Sequence, residues 1–385
     1  METPELAAFR TAVRAWLASV AIPVIADDLA SRFVDLREWQ RTLYDAGFIG
    51  LTWPKSWGGR DLTYRHQRIL NTELVRARAP QPIGLIGLDV VGPSIGTFGT
   101  PQHRHDLLPP LLSGAHIWCQ GFSEPGAGSD LAAIRTRAQL VGDEFIVDGQ
   151  KVWTSWASFA DWCALLVRTE TGSTRHRGLS YLLVDMRTPG ITVRPLRQMT
   201  GESEFGEVFF DDVHVPVANL VGAPGQGWEI AMDTLSHERG TFGMRRQAEI
   251  SGQLWSAIDS LRLYQDTGTC VPPSVVSAIG RALVANKMLE AQVEATVERA
   301  TSGGGASALD SVDKLILAEC EQEIFGALRE VVGPLLNDLE GDAWHVRSAV
   351  VAHDYLYGRA ASIYGGTSQI QRNIVAERML GLPRG

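Results

Sequence analysis

The chain changes character twice, and those two changes constrain its fold more than any other feature. Up to about residue 115 the pattern is helical, with Leu6, Phe9, Val13, Leu17 and Val20 at helical spacing. Helix formers also dominate Glu38 to Gly47 and Tyr64 to Arg78, and Trp53-Pro54-Lys55, Trp57-Gly58-Gly59 and Pro109-Pro110 read as turns. From residue 116 to about 225 the chain is instead β-branched and aromatic. Ala138 to Val141, Gly142-Asp143 and Glu144 to Asp148 read as a hairpin, and Leu179 to Asp185, Gly190 to Arg194 and Glu207 to Val215 as further strands. After Gly225-Gln226-Gly227 the helical pattern returns, and Pro272-Pro273 and Ser302 to Gly305 divide it into three long stretches. The expected class is α+β multidomain: an N-terminal helical domain (1–115), a β-barrel-like domain (116–225) and a C-terminal four-helix bundle (226–385).

Composition narrows the function. A formal net charge of −9 argues against a phosphate-tracking surface, so no nucleic-acid partner is expected. The trio Arg175-His176-Arg177 reads as a solvated loop, or as a narrow anion spot. No apolar run approaches the ~18 residues that a membrane span needs. The apolar stretch after Arg10 and Arg14 follows Glu2 and Glu5 and keeps helical spacing, which favours an amphipathic first helix over a signal peptide. Cys119, Cys163, Cys270 and Cys320 lie far apart among apolar residues, as buried free thiols do in a reducing compartment; a cytoplasmic location is expected.

Three segments carry the material for chemistry. In Phe122-Ser123-Glu124-Pro125-Gly126-Ala127-Gly128-Ser129-Asp130, small residues let backbone N–H groups approach a ligand; a plain Gly-rich turn has the same letters. In Gly149 to Trp156, Trp153 stands beside Thr154 and Ser155, a ring and two hydroxyls that suit a flavin face and edge, or equally a strand core. In Ile363 to Arg372, Gly365-Gly366 precede Thr367, Ser368 and Gln369 at an apparent helix start. That is an oxygen- or phosphate-binding geometry, or an ordinary cap.

In this order and spacing the three segments resemble the signatures of the acyl-CoA dehydrogenases, and the resemblance covers nearly the whole chain. It implies FAD as cofactor, lined by Gln120, Phe122, Ser123, Gly128, Ser129, Trp153, Thr154 and Ser155, with Thr367, Ser368 and Gln369 holding its nucleotide part. Ser129, Arg239, Gly365 and Gly366 would meet the substrate, an acyl-CoA. The implied reaction transfers a β-hydride to the flavin while a glutamate removes the α-proton, giving a 2,3-enoyl-CoA. Electrons would leave to an electron-transferring flavoprotein.

The chain departs from the family at two places. Most relatives carry the base between the Tyr and Gly of the third segment, where this chain has Gly365. A minority place it on a bundle helix before an Arg, which matches Glu238-Arg239 here. Trp228, Met232, Leu235, Arg239 and Phe242 form a stripe at helical spacing beside Glu238, whose burial would raise its pKa towards that of a useful base; a bracing Glu–Arg pair is the alternative, and His237 reads as a surface residue. The R-x-x-F-G motif, whose Arg reaches a neighbouring subunit's FAD, is missing around Asp266 to Ser277. A homo-oligomer or a heteromer with a related, diverged subunit is therefore expected. A non-catalytic subunit and an oxygen-using oxidase or hydroxylase of the same fold stay open as alternatives.

Overall fold

A computed structural model describes residues 2–383 except 267, 269, 304–306 and 336–347; the side chains of 238–241, 332–335 and 348 also lie outside the description. The first part is helical: α1 (Pro4–Ser19), α2 (Leu29–Asp45), α3 (Tyr64–Arg76), α4 (Gly92–Phe98) and α5 (Pro101–Leu112). Local chemistry starts these helices. Asp28 caps α2 by accepting from the Ser31 N–H at 2.9 Å, and Thr100 caps α5 in a box with His103. Pro109 and Pro110 lie inside the last turn of α5, not in a separate turn. Their carbonyls still accept, from Ser113 and His116, and this keeps the turn helical although two N–H donors are missing.

The middle of the chain forms one eight-stranded, mostly antiparallel sheet. Its strands are β1 (Trp118–Gly121), β2 (Arg137–Val141), β3 (Glu144–Ser155), β4 (Trp162–Arg168), β5 (Leu179–Asp185), β6 (Ile191–Leu196), β7 (Phe205–Pro216) and β8 (Leu220–Val221). Along the sheet the order is β6-β7-β3-β2-β4-β5-β8, with β1 parallel to β4. The expected β2–β3 hairpin is present, turned at Gly142 with φ +63°. Cys119, Val147, Cys163, Leu165, Val184, Val208 and Val213 pack as its apolar core. Cys119, Cys163 and Cys320 are buried, but Cys270, in the connection after Asp266, is exposed.

Among the described residues, five helices follow the sheet: α6 (Gly227–Asp266), α7 (Pro273–Thr301), α8 (Leu309–Leu335), α9 (Ser348–Tyr357) and α10 (Ser368–Arg378). The chain divides into two compact units. One comprises Met1–Trp16, Arg68–Arg78 and Arg239–Gly385; the other comprises Leu17–Gln67 and Ala79–Glu238. The sheet and the first turns of α6 belong to the second unit, and α7 to α10 to the first.

Candidate active site

Within the sheet-bearing unit, β1 leads directly into the first candidate segment. Phe122 is buried edge-on against Tyr181, with ring centroids 5.8 Å apart. A tight turn follows, in which Glu124 and Ala127 exchange both backbone hydrogen bonds, at 3.1 and 3.0 Å. The positions where Gly126 and Gly128 would carry a Cβ open onto free space, and Gly128 and Ser129 are exposed. Gln120 is half-buried, and its amide nitrogen is buried without a partner among the described residues.

The second segment is the end of β3. Pairing with β7 runs through Lys151↔Val208, breaks, and resumes at Thr154↔Gly206. In that bulge Trp153 adopts φ +59°, a left-handed conformation that a bulky residue takes only when its surroundings impose it. The bulge turns the indole outward: Trp153 is 61% exposed, touched edge-on by Phe205 at 6.2 Å. Thr154 points the other way, fully buried with no hydroxyl partner among the described residues, and Ser155 is half-buried. Trp156 repeats the left-handed geometry and packs near Phe33 and Phe159.

The two segments are fastened together. The Val152 N–H donates to the Ser123 carbonyl at 2.9 Å. The buried Lys151 ammonium donates to the Phe122 carbonyl at 3.0 Å and to Glu124 Oε1 at 2.8 Å. Glu124 also accepts from the backbone N–H groups of Arg135 (2.7 Å) and Thr136 (2.9 Å). Burial pushes the Lys151 ammonium down to about 8 against the opposing pull of Glu124. For Glu124 the upward push of burial is outweighed by Lys151 and the backbone donors, which hold it below the usual carboxylate range. Sequence reasoning singled out neither side chain, although Glu124 lies within the segment expected to line the FAD. The available signal was a lysine in the middle of a strand and a glutamate in a Gly-rich turn, both at positions that burial would penalise.

In the same unit, α6 starts against β5. A Cβ on Gly227 would sit 2.6 Å from the Ser180 backbone, so only glycine permits this approach. Nearly two turns on, Asp233 accepts from Ser94 Oγ at 2.7 Å, and the Thr234 hydroxyl meets Ser94 at 2.9 Å and Tyr181 at 3.4 Å. The buried face of these turns runs through Gly227, Ile230, Ala231 and Thr234, while Trp228, Met232 and Leu235 are half-buried. The expected stripe is thus rotated from the face that carries most burial, because helix packing follows the small residues that allow close approach. His237 is half-buried 3.3 Å from Asp233, not a surface group. Glu238 and Arg239 lie in the α6 helix, and their side chains are outside the described residues.

The third segment belongs to the other unit. Gly365 and Gly366 take φ +60° and +86°, and Thr367 caps α10 by accepting from the Ile370 N–H at 3.2 Å. Ser368 and Gln369 open that helix. Gln371, fully buried, closes the turn by donating to the Gly365 carbonyl at 2.8 Å. Tyr364 packs edge-on against Phe242 at 5.7 Å, and Lys314 Nζ lies 3.9 Å from its ring centroid. Gln371 and Lys314 were not singled out from the sequence, where they look like any helical polar residue.

The sheet-bearing segments fit a flavin. They present an exposed indole face, an unpartnered amide at Gln120 and an unpartnered hydroxyl at Thr154. Models of the acyl-CoA dehydrogenase N-terminal, middle and C-terminal domains match residues 3–115, 119–213 and 225–380. The acyl-CoA dehydrogenase IpdE1 of Mycobacterium tuberculosis is 40% identical over 98% of this chain and 97% of its own length. Among solved structures, the Tcur3481-Tcur3483 steroid ACAD superposes with a TM-score of 0.85 at 26% identity, covering 100% of this chain and 99% of that one. The ChsE4-ChsE5 complex from Mycobacterium tuberculosis gives 0.81 at 29% identity, over 100% and 99%. The chain belongs to the acyl-CoA dehydrogenase family. It is a flavoprotein oxidoreductase whose cofactor is FAD. Among the described residues no helix is long and apolar enough to cross a membrane.

Proposed function

We propose that the protein desaturates a bulky acyl-CoA thioester between its α and β carbons, yielding the 2,3-enoyl-CoA. Bound FAD supplies the hydride acceptor. The observation that carries this reading is Trp153, an exposed indole held in a left-handed bulge two residues before Ser155. Such strain persists where a ligand uses it. Trp153 would cover the ring face, Ser155 would donate to its edge, and Gln120, Phe122, Ser123 and Gly128 would line it. Thr367, Ser368 and Gln369 serve the nucleotide part. Glu238 takes the α-proton, with Arg239 shaping the acyl site alongside Ser129 and Gly366, and the Gly365 N–H donates to the thioester carbonyl as charge develops there.

Glycine at 365 removes bulk where relatives carry a carboxylate, and the likeness to a steroid ACAD supports a polycyclic acyl group. Likeness to the ChsE4-ChsE5 complex supports assembly with a related subunit, and an electron-transferring flavoprotein is the acceptor we expect. Anaerobic titration of the yellow protein with straight-chain, branched and steroid-ring acyl-CoAs tests the reading. Bleaching by the ring-bearing thioesters is expected. Turnover that needs dioxygen, with no anaerobic bleaching, would replace it with an oxidase or hydroxylase.

A further inference from the structure

We propose that the buried Glu124–Lys151 pair is a positioning couple that sets the register of the two flavin-lining segments, and so the placement of Trp153 and Ser155 against the ring. The proposal rests on the flavin reading above. Four hydrogen bonds tie three stretches of chain to these two side chains: Phe122, Arg135 and Thr136 through their backbones, and the ion pair itself at 2.8 Å. Lys151 is fully buried and Glu124 nearly so.

Position gives the pair its significance. Glu124 stands one residue after Ser123, at the turn that opens towards Gly128. Lys151 is the last residue of β3 paired with β7 before the bulge, two residues ahead of Trp153. Between Lys151 and Thr154, where pairing resumes, the β7 ladder does not hold the strand, and the left-handed Trp153 lies in that gap. A slip of one residue there would move the indole by about 3.3 Å and reverse its face. Apolar packing at 124 and 151 would tolerate such a slip; a directional, charge-assisted bond between fixed atoms does not.

Stability alone does not explain the choice. Replacing a buried ion pair with apolar groups is often neutral or stabilising, because desolvation of both charges offsets their attraction. The low value of Lys151 agrees that its charge is held there at a cost. What the pair adds is geometry.

Two variants of the FAD-loaded protein test this. Glu124→Asp keeps the charge and shortens its reach by one methylene. The double variant Lys151→Met with Glu124→Gln removes both charges and strands neither. In each we expect a folded, FAD-loaded protein that melts a few degrees below the parent, because Glu124 and Lys151 also hold the Arg135 and Thr136 N–H groups and the Phe122 carbonyl. The flavin absorption band should shift, and reduction by acyl-CoA should slow about 10- to 100-fold with the thioester's KM unchanged, as small misplacements do. If both variants keep the parent's spectrum, FAD affinity and reduction rate, the pair only braces the fold and the proposal is overturned. Should the double variant not fold, Glu124→Asp decides alone by the same readouts. Failure of the flavin reading looks different: Trp153→Ala and Gln120→Ala would then both retain full FAD.

Discussion

At the scale of single residues the chemistry turns on two positions. If Glu238 is the base, Glu238→Gln keeps FAD and substrate bound while flavin reduction slows roughly 10²- to 10⁴-fold. A bracing glutamate predicts lost stability or flavin, with turnover per flavin preserved. Restoring a carboxylate by Gly365→Glu in that background should recover little rate. Gly365 sits at φ +60°, where a side chain costs about 1–2 kcal/mol. Trp153 is the second position. Trp153→Ala should lower flavin content and alter the visible spectrum, and an unchanged spectrum would remove the indole from the site. Trp153→Gly should do the same, although glycine adopts the φ of +59° without strain. Lys151 adds a pH signature. Its folded value of about 8 lies below its ordinary 10.5, so between the two the unfolded chain holds a proton that the folded chain lacks. Its contribution to stability therefore rises with pH across that window, by at most about 1.4 kcal/mol per pH unit. The difference in melting temperature between the parent and Lys151→Met, followed from pH 7.5 to 10 (about the span of that window), should move in the parent's favour.

At the scale of elements, one ionic brace carries a second pH dependence. Glu73 of α3 is almost fully buried and accepts from Arg10 and Arg14 of α1, each at 2.7 Å. Burial raises its pKa, but the hydrogen bonds from Arg14 and Arg10 outweigh that and hold it below its ordinary value. Its stabilisation is thus complete above the unfolded value and lost as pH falls through the lower folded one. Glu73→Gln should melt about 2–4 °C lower at neutral pH, the shift expected for about 1 kcal/mol, and the gap should close in acid. Most elements were legible because their periodicity is strong: the α1 stripe, the β2–β3 hairpin around Gly142, and the helix cap at Thr367 all follow from local letters. Others were not. The four residues of β1 are too short to show a period, and β4 is buried on both faces, so its sequence does not alternate. The flavin segments were visible as motifs, but their fastening was not. Lys151 meets Glu124 across 27 residues, and no local pattern announces such a pairing. The face of α6 that packs was misjudged for a related reason: Gly227 and Ala231 set it by their smallness, which a hydrophobic stripe does not register.

At the scale of the whole molecule, the chain should assemble. Sedimentation at micromolar concentration is expected to show a species larger than the 42.0 kDa chain, and a purely monomeric boundary would contradict it. Whether the companion is a second copy or a related subunit can be settled by a feature met earlier as a mere exception. Cys270 is exposed, whereas Cys119, Cys163 and Cys320 are buried. The native protein therefore offers a single reactive thiol per chain, and a maleimide dye should attach at that one point. Each assembly then carries its own copy number as a count of fluorophores. Assembly of separately labelled copies of this chain alone, with as many bleaching steps as the mass requires, would mean identical chains; a labelled chain that stays monomeric until a related subunit is added would mean a heteromer.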